Sequence, residues 1–245
     1  MKRILLTSLI TLCALSCAKA EPLGPGVSVD KQGNLKIDAP LYVINNNPEN
    51  PGLKRADASL HRAVSFSLYA GDDVGSPLEI TGGIVNGRLS ITIQKPKEDQ
   101  YFRSAASFFS VPKDVFKTGS DTAIGEIFMH AVDSDDDYCW IRLYSNPIVK
   151  FLKGIDIGSE RDVFDVDGGR HFYYYSHGDV SISSRVEKRS QYNNFTWRED
   201  YNIDLKQGWN VIRTEELYDE AVNADVFTMT SDKPSTDAVW VLLSW

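Results

Sequence analysis

The sequence predicts an all-β protein, an antiparallel β-sandwich, and three observations carry that prediction. Apolar residues recur with a period of two, turn residues punctuate the chain at the roughly 8–12-residue spacing of short strands, and no helical windows alternate with strands as they do in α/β proteins. The chain has 245 residues, 42% of them hydrophobic, 11% aromatic and 24% charged, which excludes a disordered tail, a collagen-like fibre and a coiled coil. That length suits one compact domain or two small β-subdomains.

The chain opens with an address. Lys2 and Arg3 precede an apolar run from Ile4 to Leu15, which is too short for a membrane-spanning helix and has the form of a secretory signal. Two processing sites compete. Ala18-Lys19-Ala20 before Glu21 suits an ordinary signal peptidase and makes 1–20 the signal, whereas Leu15-Ser16-Cys17 resembles a bacterial lipobox and makes it 1–16. In the second case Cys17 becomes the lipidated N-terminus and a membrane is a partner; in the first the protein is released to the periplasm or beyond. Either cut deletes Lys2 and Arg3, taking the net charge from −8 to −10, and the later one also removes Lys19, giving −11. A chain this acidic, with no Lys/Arg stripe, repels phosphate, so nucleic acid is not an expected partner. Only Cys139 lies beyond the leader, which leaves no intramolecular disulfide; flanked by Tyr138 and Trp140, it is expected as a small buried hydrophobe.

Residues 21–60 are rich in Pro, Gly and Asn and are expected to be a tether carrying a first strand and little core. From 61 to 122 a β-hairpin region follows. Val64, Phe66 and Leu68 alternate with Ser65, Ser67 and Tyr69, and a hairpin is expected at 83–94, because Asn86-Gly87 supplies the two positive-φ residues of a type I′ turn. Phe102, Ala105, Ala106 and Phe109 fall at helical spacing, which predicts one short helix. A C-terminal sandwich is expected over 123–245. Its strands should run over Gly125 to Val132, Tyr138 to Tyr144, Ile148 to Leu152, His171 to Ser176, Asp179 to Val186, Tyr192 to Trp197, Tyr201 to Leu205, Val211 to Thr214, Val226 to Thr230 and Ala238 to Leu243. The last, Val239-Trp240-Val241-Leu242-Leu243, has two apolar faces. That suits a buried strand better than the alternative of a small outer-membrane β-barrel with a polar lumen.

The run Phe172-Tyr173-Tyr174-Tyr175-Ser176-His177-Gly178-Asp179-Val180, followed later by Gly208-Trp209-Asn210, resembles a family of uncharacterised bacterial envelope lipoproteins with a β-rich domain. In that family an aromatic strand runs into an Asp-Val strand, and a later strand ends in a Gly-Trp-Asn turn. The 78–94 hairpin is similar to the family's N-terminal half, so the likeness spans about 60–245. The resemblance implies an envelope location and a β-rich fold, and it carries no activity. His177-Gly178 stands where the family has a more acidic turn.

Three constellations bear on chemistry. Asp133, Asp135 and Asp137 place carboxylates at alternate positions, as at the start of a calcium loop, but Tyr138 replaces the turn glycine and Tyr144 the closing glutamate. A solvated turn is the competing reading, and Asp165-Val166-Asp167-Gly168-Gly169 is expected as a second acidic turn. Tyr174, Trp197 and Trp209 are candidates for a ring platform that stacks on a glycan, against the plainer role of core and cross-strand pairing; within the triple tyrosine one face should be buried and the other partly exposed. No catalytic residue can be assigned: His-Glu-x-x-His, Gly-x-Ser-x-Gly and phosphate-cradling glycine loops are all missing from the sequence. The expectation is a non-catalytic secreted or lipid-anchored protein of a bacterial cell envelope, a binding or surface-structural module with a glycan or protein ligand. A carbohydrate-binding or glycoside-hydrolase-like protein is the alternative.

Overall fold

A computed structural model describes residues 23–45, 47, 49–69, 76–97, 102–132, 138–152, 163–189, 196–219 and 224–243. They form a nearly all-β, sandwich-like fold in which a large mixed sheet does not close into a barrel. The N-terminal strands are β1 (Val27–Val29), β2 (Leu35–Asn45), β3 (Gly52–Arg55), β4 (Ala63–Tyr69), β5 (Ser76–Pro77), β6 (Ile80–Val85), β7 (Arg88–Ile93) and β8 (Arg103–Ser104). A single helical turn α1 (Ala105–Phe108) and a 3-10 turn over Lys113–Val115 lead to β9 (Phe116–Thr118). Then come β10 (Ala123–Val132), β11 (Tyr138–Leu152), β12 (Val163–Ser176), β13 (Val180–Arg189), β14 (Thr196–Leu205), β15 (Gly208–Asp219), β16 (Ala224–Thr230) and β17 (Val239–Leu243).

The first half of β2 pairs with β1 on one edge and β7 on the other, and β7 with β6, making a four-stranded antiparallel layer. Its second half crosses into the large sheet, pairing with β3 and, in parallel, with β17. A second parallel pairing joins β14 to β16, so the sheet is mixed and not purely antiparallel. β10 is wedged into a fork: it pairs with β12 near Ile124–Ile127, with β11 near His130–Val132, and with β4 along its other edge.

Three clusters fill the interior. The largest lies between the β1-β2-β7-β6 layer with β4 and one face of β10, β11, β12, β15 and β17, and holds Leu35, Phe66, Leu89, Tyr173 and Trp240. A second, on the opposite face of β12 and β15, gathers α1, β13 and β14 around Tyr174, Tyr201, Ile203 and Ile212. A third packs Tyr144, Val166, Val241 and Leu243. As expected, β17 is apolar on both faces: Trp240 and Leu242 enter the first cluster, Val241 and Leu243 the third.

Four expectations need correction. Residues 21–60 are no tether with little core, because Leu35, Ile37, Ala39 and Leu41 are fully buried and alternate with Lys36, Asp38 and Pro40 along β2. Tyr138 to Tyr144 and Ile148 to Leu152 are one strand, which passes Asn146 (φ 50°) through a register shift instead of breaking. The proposed turn at 165–169 belongs to β12 opposite that shift, with Gly168 at φ 132°. Finally, Tyr173, Tyr174 and Tyr175 are all buried, since α1, β13 and β14 cover the face that alternation alone would leave to solvent. The hairpin is present, with Asn86 at φ 52° and Gly87 at φ 67°, as is the short helix.

Candidate functional site

The sequence-predicted residues do not share a surface. Tyr174 points into the second cluster, where Phe108 meets its ring edge-on at 5.7 Å and its hydroxyl donates to Glu126 Oε2 at 2.6 Å. Trp209 lies on the opposite face in the first cluster, against Tyr175 at 5.0 Å, and its Nε1 donates to the Gly33 carbonyl at 2.7 Å. Trp197 is half-buried on β14 and donates to Glu199 Oε1 at 2.9 Å. Glu199 also accepts from the Tyr201 hydroxyl and pairs with Lys188 at 2.7 Å. All three rings have structural partners, and Tyr174 and Trp209 cannot stack on one ligand. Cys139 is buried as expected, and Arg62 Nη1 donates to its Sγ at 3.1 Å. Cys17 with the leader, and Asp133, Asp135 and Asp137, lie outside the described residues; among those described no group of His, Cys, Asp or Glu could hold a metal ion.

The Glu126–Tyr174 pair is electrostatically unusual. Loss of water around the Glu126 carboxyl pushes its pKa up to about 7, against the opposing pull of the Tyr174 hydrogen bond and the Arg142 charge. Tyr174 is pushed well above its ordinary range by burial and then by the neighbouring Glu126. The pair joins β10 to β12 across facing register positions.

A hollow of about 320 Å³ opens where β2 changes layers. Pro40 and Tyr42 line it from β2, Thr236 and Asp237 from the loop before β17, Trp240 from β17, and Pro25 at the lip. Its position follows from the change of pairing partner along β2. Past Pro40, β2 leaves β7 to run beside β17, and the seam is bordered by prolines and small residues that cannot fill it. Trp240 is fixed on both sides: it stacks on Tyr173 with centroids 5.8 Å apart, and its Nε1 donates to the Pro25 carbonyl at 3.3 Å. Tyr42 and Pro25 are half-buried, while Thr236 and Asp237 are exposed, so the hollow faces solvent through its polar wall.

That polar wall is propped from beneath. Ser235 N–H donates to Ser145 Oγ at 3.4 Å, the Ser235 hydroxyl lies 3.1 Å from the same oxygen, and Ser145 Oγ is 2.7 Å from His171 Nε2. A serine and histidine at this separation match a nucleophile and its base, but each is only 4% exposed and the hydroxyl is engaged by Ser235. Burial lowers the His171 pKa to about 4, with the Arg213 charge acting in the same direction and Asp232 against it, so the ring is neutral near pH 7. The Asp237 carboxyl is held below its ordinary range by the Ser235 side chain and its own backbone N–H. Sequence reasoning missed this site. Its walls meet through a parallel pairing of Leu41–Val43 with Trp240–Leu242, for which no local pattern exists.

No family model matches this chain, and neither a curated protein nor a solved structure matches it.

Proposed function

We propose that this chain is a non-catalytic binding module of a bacterial cell envelope, directed there by its N-terminal leader, that holds its ligand in the hollow between β2 and β17. The hollow carries this reading: about 320 Å³ falls at the lower end of ligand-site volumes, and a mainly apolar wall with two polar groups is the usual composition of such a site. The residues most suited to chemistry support the non-catalytic part. Ser145 and His171 are engaged in propping a loop, and Glu126 is engaged by Tyr174. Anchoring through Cys17 or release after Ala20 sets whether the module is tethered or free.

Two experiments test the proposal. Intact mass of untagged protein from the native membrane fraction should begin at Cys17 with acyl chains for the tethered form; a chain beginning at Glu21 overturns anchoring. Ligand-detected NMR with a library of small fragments should give hits that weaken in Tyr42→Ala. Hits indifferent to Tyr42→Ala, or none at all, overturn the assignment of the hollow.

A further inference from the structure

The chemistry of the hollow narrows its occupant. Among its described lining residues Asp237 is the sole charged side chain, and no Lys, Arg or His accompanies it. The neighbours that bond its carboxylate are a hydroxyl and a backbone N–H, which leave its negative charge uncancelled. The rest of the wall is mainly apolar, from prolines, alanines, Val239 and Trp240, with hydroxyls only on Thr236 and Tyr42. An anion would meet the Asp237 carboxylate and the field of a chain whose net charge is −8. A sugar would bury several hydroxyls against a wall with few partners for them, and each unpaired one costs free energy.

We propose that the hollow takes a compact apolar cation, an alkylammonium group seated between the Tyr42 ring and the Asp237 carboxylate. The proposal rests on the hollow being a binding site. A methylated or alkylated ammonium carries its charge inside an apolar shell, so the prolines and Val239 desolvate it at low cost. The negative face of an aromatic ring attracts it as well. Asp237, at the exposed rim, supplies the counter-charge where solvent still screens it.

The test uses choline and its uncharged isostere 3,3-dimethylbutan-1-ol as probes, titrated into the purified protein while the amide resonances of Thr236, Asp237 and Ala238 are followed. Choline should shift them, the isostere should bind about tenfold more weakly or worse, and Asp237→Asn should reduce choline affinity by a similar factor. Asp237 is exposed, so this variant keeps the fold. Equal binding of both probes, unaltered in Asp237→Asn, overturns the cation while leaving the hollow a binding site. Silence towards choline while neutral fragments or an oligosaccharide shift the same amides has the same meaning. Silence towards every probe overturns both readings.

Discussion

The indole N–H of Trp209 donates to the carbonyl of Gly33 at 2.7 Å, joining positions 176 residues apart. Through this bond the turn between β1 and β2 is fastened to β15, and Leu35, two residues on, is fully buried in the largest cluster. The N-terminal segment is therefore structural. Leu35→Ala should cost about 2–5 kcal/mol, the range for deleting a well-packed leucine, and Trp209→Phe about 1–3 kcal/mol for the orphaned carbonyl and lost indole. Urea unfolding followed by far-UV circular dichroism measures both. An unchanged midpoint for Leu35→Ala would mean that β2 is dispensable.

What the sequence made legible was local. Asn86-Gly87 announced its own turn, since few residue pairs accept positive φ twice, and the two-faced pattern of Val239–Leu243 announced burial on both sides. What it concealed depended on partners far along the chain. Leu35, Ile37, Ala39 and Leu41 do alternate, but the surrounding Pro, Gly and Asn suggested a linker. The alternation becomes decisive only once β7 and β17 flank it. The Tyr173–Tyr175 run suggested one wet face because alternation fixes which side chains oppose each other and not what covers each side. The hollow was illegible for the same reason: Tyr42 and Asp237 come to line one hollow through sheet topology.

The hairpin tip gives a sharp test of backbone strain. Gly87 has φ 67°, and a Cβ there would lie 2.6 Å from the Ala56 carbonyl oxygen and 2.7 Å from that of Asp57. Gly87→Ala should destabilise by about 2 kcal/mol or more, because a left-handed conformation and a backbone clash add. Gly52→Ala, where nothing lies within 4 Å, should stay within about 0.5 kcal/mol. Thermal melts of the two variants check this, and equal losses would contradict it.

Ser145→Ala removes the oxygen that joins His171 to Ser235, leaving the Nε2 of the buried His171 without this partner and the half-buried Ser235 without its tie to β11. A loss of about 1–3 kcal/mol is expected. The effect should be directional as well: amide exchange at Thr236, Asp237 and Ala238 should quicken more than in β10 or β12, because the prop lies beneath that wall. Uniform quickening would assign Ser145 to global stability alone.

The Glu126–Tyr174 pair predicts a pH dependence whose sign can be worked out. The Glu126 pKa is raised in the fold, from 4.5 to about 7, so between those values the native state holds a proton that the unfolded chain has lost. Its contribution to stability is full below about pH 4.5 and declines as pH rises through 7, with a slope approaching about 1.4 kcal/mol per pH unit inside the window. His171 acts oppositely. Its pKa falls from 6.5 to about 4, so its contribution is full above pH 6.5 and is lost as pH drops towards 4. The two oppose each other over pH 4.5–6.5, and the wild-type curve alone hides both. Glu126→Gln separates them, since the amide oxygen still accepts from Tyr174 but cannot titrate, while His171 is common to both proteins and cancels in the difference. The stability of Glu126→Gln relative to wild type should rise between pH 5 and pH 7.5 and level off above. Urea denaturation at half-unit pH steps measures it, and parallel curves would show that Glu126 titrates as an ordinary carboxylate.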